Sequence, residues 1–458
     1  MAPVVHGVAG ALGSLEVRDA AGRRLGWAAF EDPRVRSIAL PDGGGAAARL
    51  ERAVGRTEVD WPVGAVSVRL GGQEARPAAP PPPRAGVVAV QHAGPAAERL
   101  DLLFLGDGYG AAEQDRFAAD VDALVGYLSA IEPFGAYTSL LNIWRVDEIS
   151  VDSGVSHPDL GVTRETAYDC YYGCGGIERL VCCDDAQVLS TAGEVGPVEG
   201  IVVLVNDAEY GGSGGFTYAT AYNGEEGLEV AAHELGHSLV LLRDEYSYEI
   251  GSYSGFTGSN CSASGDDLSW AHWLGVDGVG AFEVCSYDNF WRPTENHCMM
   301  RTLRDNYCPV CREAAVLALY QRIPDLLASA EPAAGALVDA TGDDDPLIRI
   351  ETLVPADQLT FEWSVNGEIV PGLSGPEVRP RCQPELTGEL TVRVVDPTPW
   401  VREDPNDLLQ STAGPWTVTA ARCGGPPSEG ARCGCRTASP DALSLALFGV
   451  LIRRRRAA

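Results

Sequence analysis

The spacing of apolar residues changes character twice along this chain. Residues 1–76 alternate short apolar runs with turn residues: Gly13-Ser-Leu-Glu-Val, Ser37-Ile-Ala-Leu and Ala65-Val-Ser-Val-Arg-Leu are parted by Asp19-Ala-Ala-Gly and Asp42-Gly-Gly-Gly. A period of two between turn signals predicts a small β-rich domain there. Pro77 to Arg84 holds five prolines, so residues 77–98 read as a stiff linker.

From Arg99 the periods mix. Leu100-Asp-Leu-Leu-Phe-Leu predicts a buried strand, stopped by Gly106-Asp-Gly-Tyr-Gly. Phe117, Val121, Leu124 and Leu128 recur at helical spacing and predict a helix over 111–131. Further strands are expected at Asn142-Ile-Trp-Arg-Val-Asp-Glu-Ile and Ile201-Val-Val-Leu-Val. Strands alternating with helices imply an α/β core over residues 99–328, closed by a helix at 314–327. Phe216-Thr-Tyr-Ala-Thr-Ala-Tyr reads as one more strand, placed to line a cleft or to serve as an ordinary edge.

Period two then returns. Leu359-Thr-Phe-Glu-Trp-Ser-Val-Asn-Gly and Gly388-Glu-Leu-Thr-Val-Arg-Val-Val predict an immunoglobulin-like β-sandwich over 329–425, with Cys382 and Cys423 as a candidate bridge. Residues 426–458 form a tail of different make-up: Cys433-Gly-Cys, an apolar run of 11 residues from Ala442, and four arginines from Arg453 to Arg456. The run is short for a membrane span of ~20 residues. An apolar segment closed by arginines is nonetheless a stop-transfer or sorting pattern, which points to anchoring at a membrane or cell surface.

Composition narrows the function. The 458 residues carry a formal charge of −30, with no cationic stretch before the last residues, which argues against nucleic acid as a partner. Thirteen cysteines in irregular clusters suggest disulfides and an oxidising compartment, hence an exported protein. The count is odd, so at least one thiol is left over. Met1-Ala-Pro-Val-Val-His lacks the basic and apolar regions of a secretory signal, and a true start farther upstream is expected.

The chemistry concentrates in His233-Glu234-Leu235-Gly236-His237, within an apolar helical run. Histidines four residues apart share one face of a helix, so both imidazoles reach one metal ion. The intervening Glu234 is placed to take a proton from a metal-bound water, the division of labour of a zinc hydrolase. With 7 histidines in the chain, a chance match is expected roughly once in a hundred such sequences. A third ligand is needed, and Asp244, Glu245, His272 and His297 are the candidates. A straight helix would carry Asp244 ~10 Å along the axis from His237, so the chain must turn back between Ser238 and Arg243. That segment contains no glycine to ease the turn. Cys298, Cys308 and Cys311 could form a second zinc site with His297, but in an exported chain they read as disulfide partners.

Over residues 99–322 the chain resembles the immunoglobulin A peptidase-like zinc metallopeptidases. The resemblance rests on Leu105-Gly-Asp-Gly-Tyr, Phe117-Ala-Ala-Asp, Glu132-Pro-Phe, Asn142-Ile, Gly176-Ile-Glu-Arg-Leu, His233-Glu-Leu-Gly-His-Ser, Asp244-Glu-Tyr, Cys298-Met-Met-Arg and Tyr307-Cys-Pro-Val-Cys-Arg. It implies a zincin-like fold and a Zn2+ endopeptidase in which His233, His237 and Asp244 bind the metal and Glu234 is the general base. Its substrate would be a protein or peptide. It also implies a methionine turn at Met299 or Met300, packing beneath the metal. Tyr246 and His297 are candidate donors to the developing oxyanion. The tail resembles the sorting tails of myxobacterial surface proteins, which implies display at or release from the cell surface. The competing reading is a non-catalytic surface adhesion protein on a peptidase scaffold. Retention of the base Glu234 argues against it.

Overall fold

A computed structural model describes residues 86–215, 217–248, 258–323 and 325–422, together with the backbone of strands between Val5 and Ala75. The central feature is a six-stranded mixed sheet. Its members are β1 (Val87–Gln91), β2 (Leu100–Asp107), β3 (Leu141–Val146), β4 (Gly200–Val205), β5 (Gly212–Ser213) and β6 (Ala219–Tyr222), in the spatial order β5-β6-β4-β2-β3-β1. Strands β3, β2, β4 and β6 run parallel, and β1 and β5 are antiparallel edges.

The apolar run of β2, interrupted only by Asp101, follows from its place in the sheet. Flanked by a strand on each side, it is buried along its whole length, as parallel strands covered on both faces are. Helix α1 (Gln114–Ala130) packs through Phe117, Val121, Leu124 and Leu128, the face its spacing predicted. Helix α2 (Asp185–Val195) follows, capped by the Asp184 side chain on the Gln187 N–H. Asp107, at the end of β2, accepts the backbone N–H groups of Tyr168 and Cys170 at 2.6 and 3.2 Å, and burial pushes its pKa up to about 6. The Leu105-Gly-Asp-Gly-Tyr motif therefore anchors a loop. That loop is stapled by the disulfides Cys170–Cys183 and Cys174–Cys182, and Cys261–Cys285 closes a third.

Three expectations change. Val87–Gln91, assigned to the linker, pairs antiparallel with β3, so the sheet begins before residue 99. The closing helix is α4 (Pro309–Tyr320), several residues upstream of 314–327. Proline suits a first turn, which places the start at Pro309, and Leu327–Glu331 is already a strand. Strand β6 is an interior strand; the edge beside it is the shorter β5, in the glycine-rich stretch.

Beyond α4 the chain forms a five-stranded and a three-stranded sheet, with Trp363 and Trp416 buried 6.1 Å apart in the core. Cys382 is disulfide-bonded, and Cys423 lies outside the described residues. Asp396 fastens this part to the central domain by accepting the hydroxyls of Tyr137 and Tyr320 at 2.7 and 2.6 Å. At the other end, the strands between Val5 and Ala75 include a four-stranded sheet and the hairpin Val35–Ala39/Gly45–Arg49. The first arm of that hairpin runs beside β5 and the helix described next. The tail from 423 onward, with its arginine cluster, lies outside the described residues. Among the described residues no helix is long and apolar enough to cross a membrane.

Candidate active site

Helix α3 (Gly227–Val240) carries the HExxH motif and is buried almost throughout. It passes under the sheet against β6 and β4. His233 and Glu234 are fully buried and His237 is 4% exposed. The helix ends because Leu241 takes a left-handed conformation, φ +64°. Its N–H still bonds the His237 carbonyl, and the Leu242 N–H reaches back to Gly236. A leucine therefore makes the reversal for which glycine is the usual residue. This costs ~1–2 kcal/mol, and the side chain is left 47% exposed. The absent glycine does not stop the chain from folding back.

The reversal brings Asp244 over the two histidines. Asp244 Oδ1 stands 3.0 Å from His233 Nε2 and 3.2 Å from His237 Nε2, and the two nitrogens are 3.2 Å apart. Donor atoms bonded at ~2.0–2.1 Å to a tetrahedral zinc stand ~3.3 Å from one another, so the triangle fits one ion within a few tenths of an ångström. Each imidazole has its other nitrogen tied to a backbone carbonyl: His233 Nδ1 to Met299 at 2.8 Å and His237 Nδ1 to Leu242 at 2.8 Å. Donating there leaves both Nε2 lone pairs facing Asp244, the tautomer a metal requires. Glu234 Oε2 lies 3.8 Å from His237 Nε2, beside this triangle.

Electrostatics follow from the burial. Burial works against protonating His233, but Glu234 and then Asp244 outweigh it and hold its pKa above the ordinary value. For His237 burial again works against protonation, and Asp244 overrides it. Burial would raise the Asp244 carboxyl, yet His237 and His233 hold it well below the usual carboxylate range. The two carboxylates thus favour positive charge at the histidine pair, a role a bound cation would take over from protons.

Supports for the site come from residues the spacing gave no reason to choose. Tyr248 donates its hydroxyl to Asp244 Oδ2 at 2.7 Å, fixing the carboxylate. Asn260 grips the turn from both sides, accepting the Arg243 N–H and donating to the Arg243 carbonyl. Met299 and Met300 are fully buried; the first gives the carbonyl to His233. Gly236 lets the sulfur of Met300 approach, since a Cβ there would meet it at 2.9 Å. Gly214 is tighter still: a Cβ would lie 1.9 Å from Glu234 Oε2 and 2.6 Å from His237 Cδ2. The glycine-rich edge after β5 thereby comes into contact with Glu234 and His237.

The remaining candidates go elsewhere. Glu245 is fully buried but points to Cys311, with its Oε1 3.6 Å from the sulfur. His272 binds Glu313 at 2.6 Å. His297 is a surface residue, 89% exposed and 3.9 Å from Asp305, so it is neither a third ligand nor an oxyanion donor. Tyr246 stacks nearly parallel to His233, at 6.5 Å between ring centres, and burial together with the Asp244 carboxylate holds its hydroxyl in the protonated form.

Residues 88–260 match the family model described as IgA Peptidase M64. The matched segment contains β2, β3, β4, β6, α3 and Asp244, which supports a peptidase of the metal-dependent kind. It stops short of Cys298-Met-Met-Arg, Tyr307-Cys-Pro-Val-Cys-Arg and the C-terminal sheets. No curated protein matches the chain.

Proposed function

We propose that this chain is a zinc-dependent endopeptidase that hydrolyses peptide bonds in extracellular proteins. The observation that carries the reading is the convergence of His233 Nε2, His237 Nε2 and Asp244 Oδ1 to within 3.2 Å, with Glu234 beside them. These three residues would hold the metal. A zinc ion bound there supplies Lewis acidity, lowering the pKa of a coordinated water toward ~7 and polarising the scissile carbonyl.

The rest is done by the protein. Glu234 accepts the proton of the attacking water and returns it to the leaving amine. Tyr246, stacked on His233 and kept protonated by burial and the Asp244 carboxylate, is the proposed donor to the charge developing on the carbonyl oxygen. Gly214 leaves room beside Glu234, where a Cβ would collide with its carboxylate, so the backbone of this segment would form one wall of the reaction centre. The central domain would be zincin-like and the C-terminal sheets an immunoglobulin-like module. Disulfides around the core favour export, and the tail favours display at the cell surface.

The test is digestion of casein by the purified full chain before and after removal of metal. Loss of cleavage on treatment with a strong chelator, and its return on adding zinc, is the expected result. Cleavage unaffected by complete metal removal would overturn the proposal.

A further inference from the structure

A second cluster of metal-binding atoms lies behind the first. Cys298, Cys308, Cys311 and Glu245 are all buried, and one ligand atom from each falls within 4.8 Å of every other. Cys298 Sγ and Cys311 Sγ are 3.6 Å apart, and Cys311 Sγ is 3.6 Å from Glu245 Oε1. In a tetrahedral zinc site, thiolate bonds of ~2.3 Å place sulfurs ~3.8 Å apart, and a sulfur and a carboxylate oxygen ~3.6 Å apart. Both observed separations match. A disulfide would need ~2.05 Å between sulfurs, and three thiols cannot all pair with one another. The expected disulfide role for these cysteines is not what is found: all three are free, while other cysteines of the same chain are bridged.

We propose that Cys298, Cys308, Cys311 and Glu245 form a closed, structural zinc site distinct from the catalytic one. Four protein donors and burial leave no open coordination position, which is the mark of a structural rather than a catalytic zinc. Cys308 is the N-cap residue of α4 and Cys311 sits in its first turn, so the same helix end presents both sulfurs to Cys298 and Glu245. The carboxylate is also oriented: Asn260 Nδ2 donates to Oε1 at 3.1 Å, and Thr294 Oγ1 is 3.4 Å from Oε2.

The position of the site explains its use. Glu245 follows Asp244, and Cys298 precedes Met299, whose carbonyl orients His233. Tyr307, next to Cys308, donates its hydroxyl to the Ala232 carbonyl of α3 at 2.5 Å. One ion would thus lock the Asp244 turn, the methionine turn and α4 behind the active-site helix.

The experiment is metal analysis of the full chain carrying His233→Ala and His237→Ala, which removes the catalytic ligands and leaves the cysteines untouched. One tightly held zinc per chain should remain. Replacing it with cobalt should give the intense near-ultraviolet sulfur-to-metal absorption of thiolate ligation, and the three thiols should resist alkylation until the metal is removed. Adding Cys308→Ser and Cys311→Ser should abolish both the residual zinc and that absorption. A metal-free double histidine variant, with the three thiols freely alkylated or joined in a disulfide by mass spectrometry, would overturn the proposal. If only the catalytic assignment were wrong, the histidine variant would keep all the zinc of the wild type, with the thiolate signature intact.

Discussion

Glu234→Gln is expected to lower kcat for peptide hydrolysis by ~10²–10⁴-fold while leaving the zinc content unchanged. The substitution keeps the size and shape of a fully buried side chain and removes only its capacity to take a proton. None of the three proposed ligand atoms is altered, and the ring nitrogens of both histidines stay tied to the carbonyls of Met299 and Leu242. KM should move little, since the lost interaction belongs to the transition state. Steady-state kinetics on a peptide substrate, with metal analysis of the same preparation, gives both quantities. Full turnover in the variant would mean that another residue is the base.

Gly214→Ala should be nearly as damaging, although the residue offers no side chain to the reaction. The added methyl group would lie 1.9 Å from Glu234 Oε2, against a wall that includes His237 Cδ2 at 2.6 Å. Glu234 is on a buried helix and His237 is held by Leu242, so the strand edge or the base must be displaced. A displacement of ~1 Å at a reacting centre costs ~10²-fold in rate. We expect at least that loss in kcat/KM for casein-derived peptides, in a variant whose circular dichroism matches the wild type. Activity within a factor of two of wild type would show that the edge strand does not abut the working base.

The motif helix and its two histidines were legible in the sequence because helical periodicity alone puts positions 233 and 237 on one face. The four central strands and α1 were legible for the same reason, as local apolar runs. The proposed third ligand depends on a turn, and left-handed turns favour glycine, which the segment before Asp244 lacks. Leu241 breaks that rule at a position where its side chain is half exposed and tertiary bonds from Asn260 and Tyr248 hold the segment beyond. Tyr248, Asn260 and Gly214 could not have been chosen from spacing, because they reach the site through loops and a sheet edge. The cysteines misled for a related reason. Compartment arguments apply to the whole chain, whereas Cys298, Cys308 and Cys311 are sealed in a core with a carboxylate that sequence separates from them by more than fifty residues.

The central claim is that His233, His237 and Asp244 jointly hold the ion with which Glu234 works. Its most direct test is zinc content per chain, measured on Asp244→Ala together with casein hydrolysis by the same sample. The account predicts one zinc fewer per chain than wild type and no measurable cleavage, in a protein that keeps its fold. Wild-type zinc content with wild-type cleavage in that variant would contradict it.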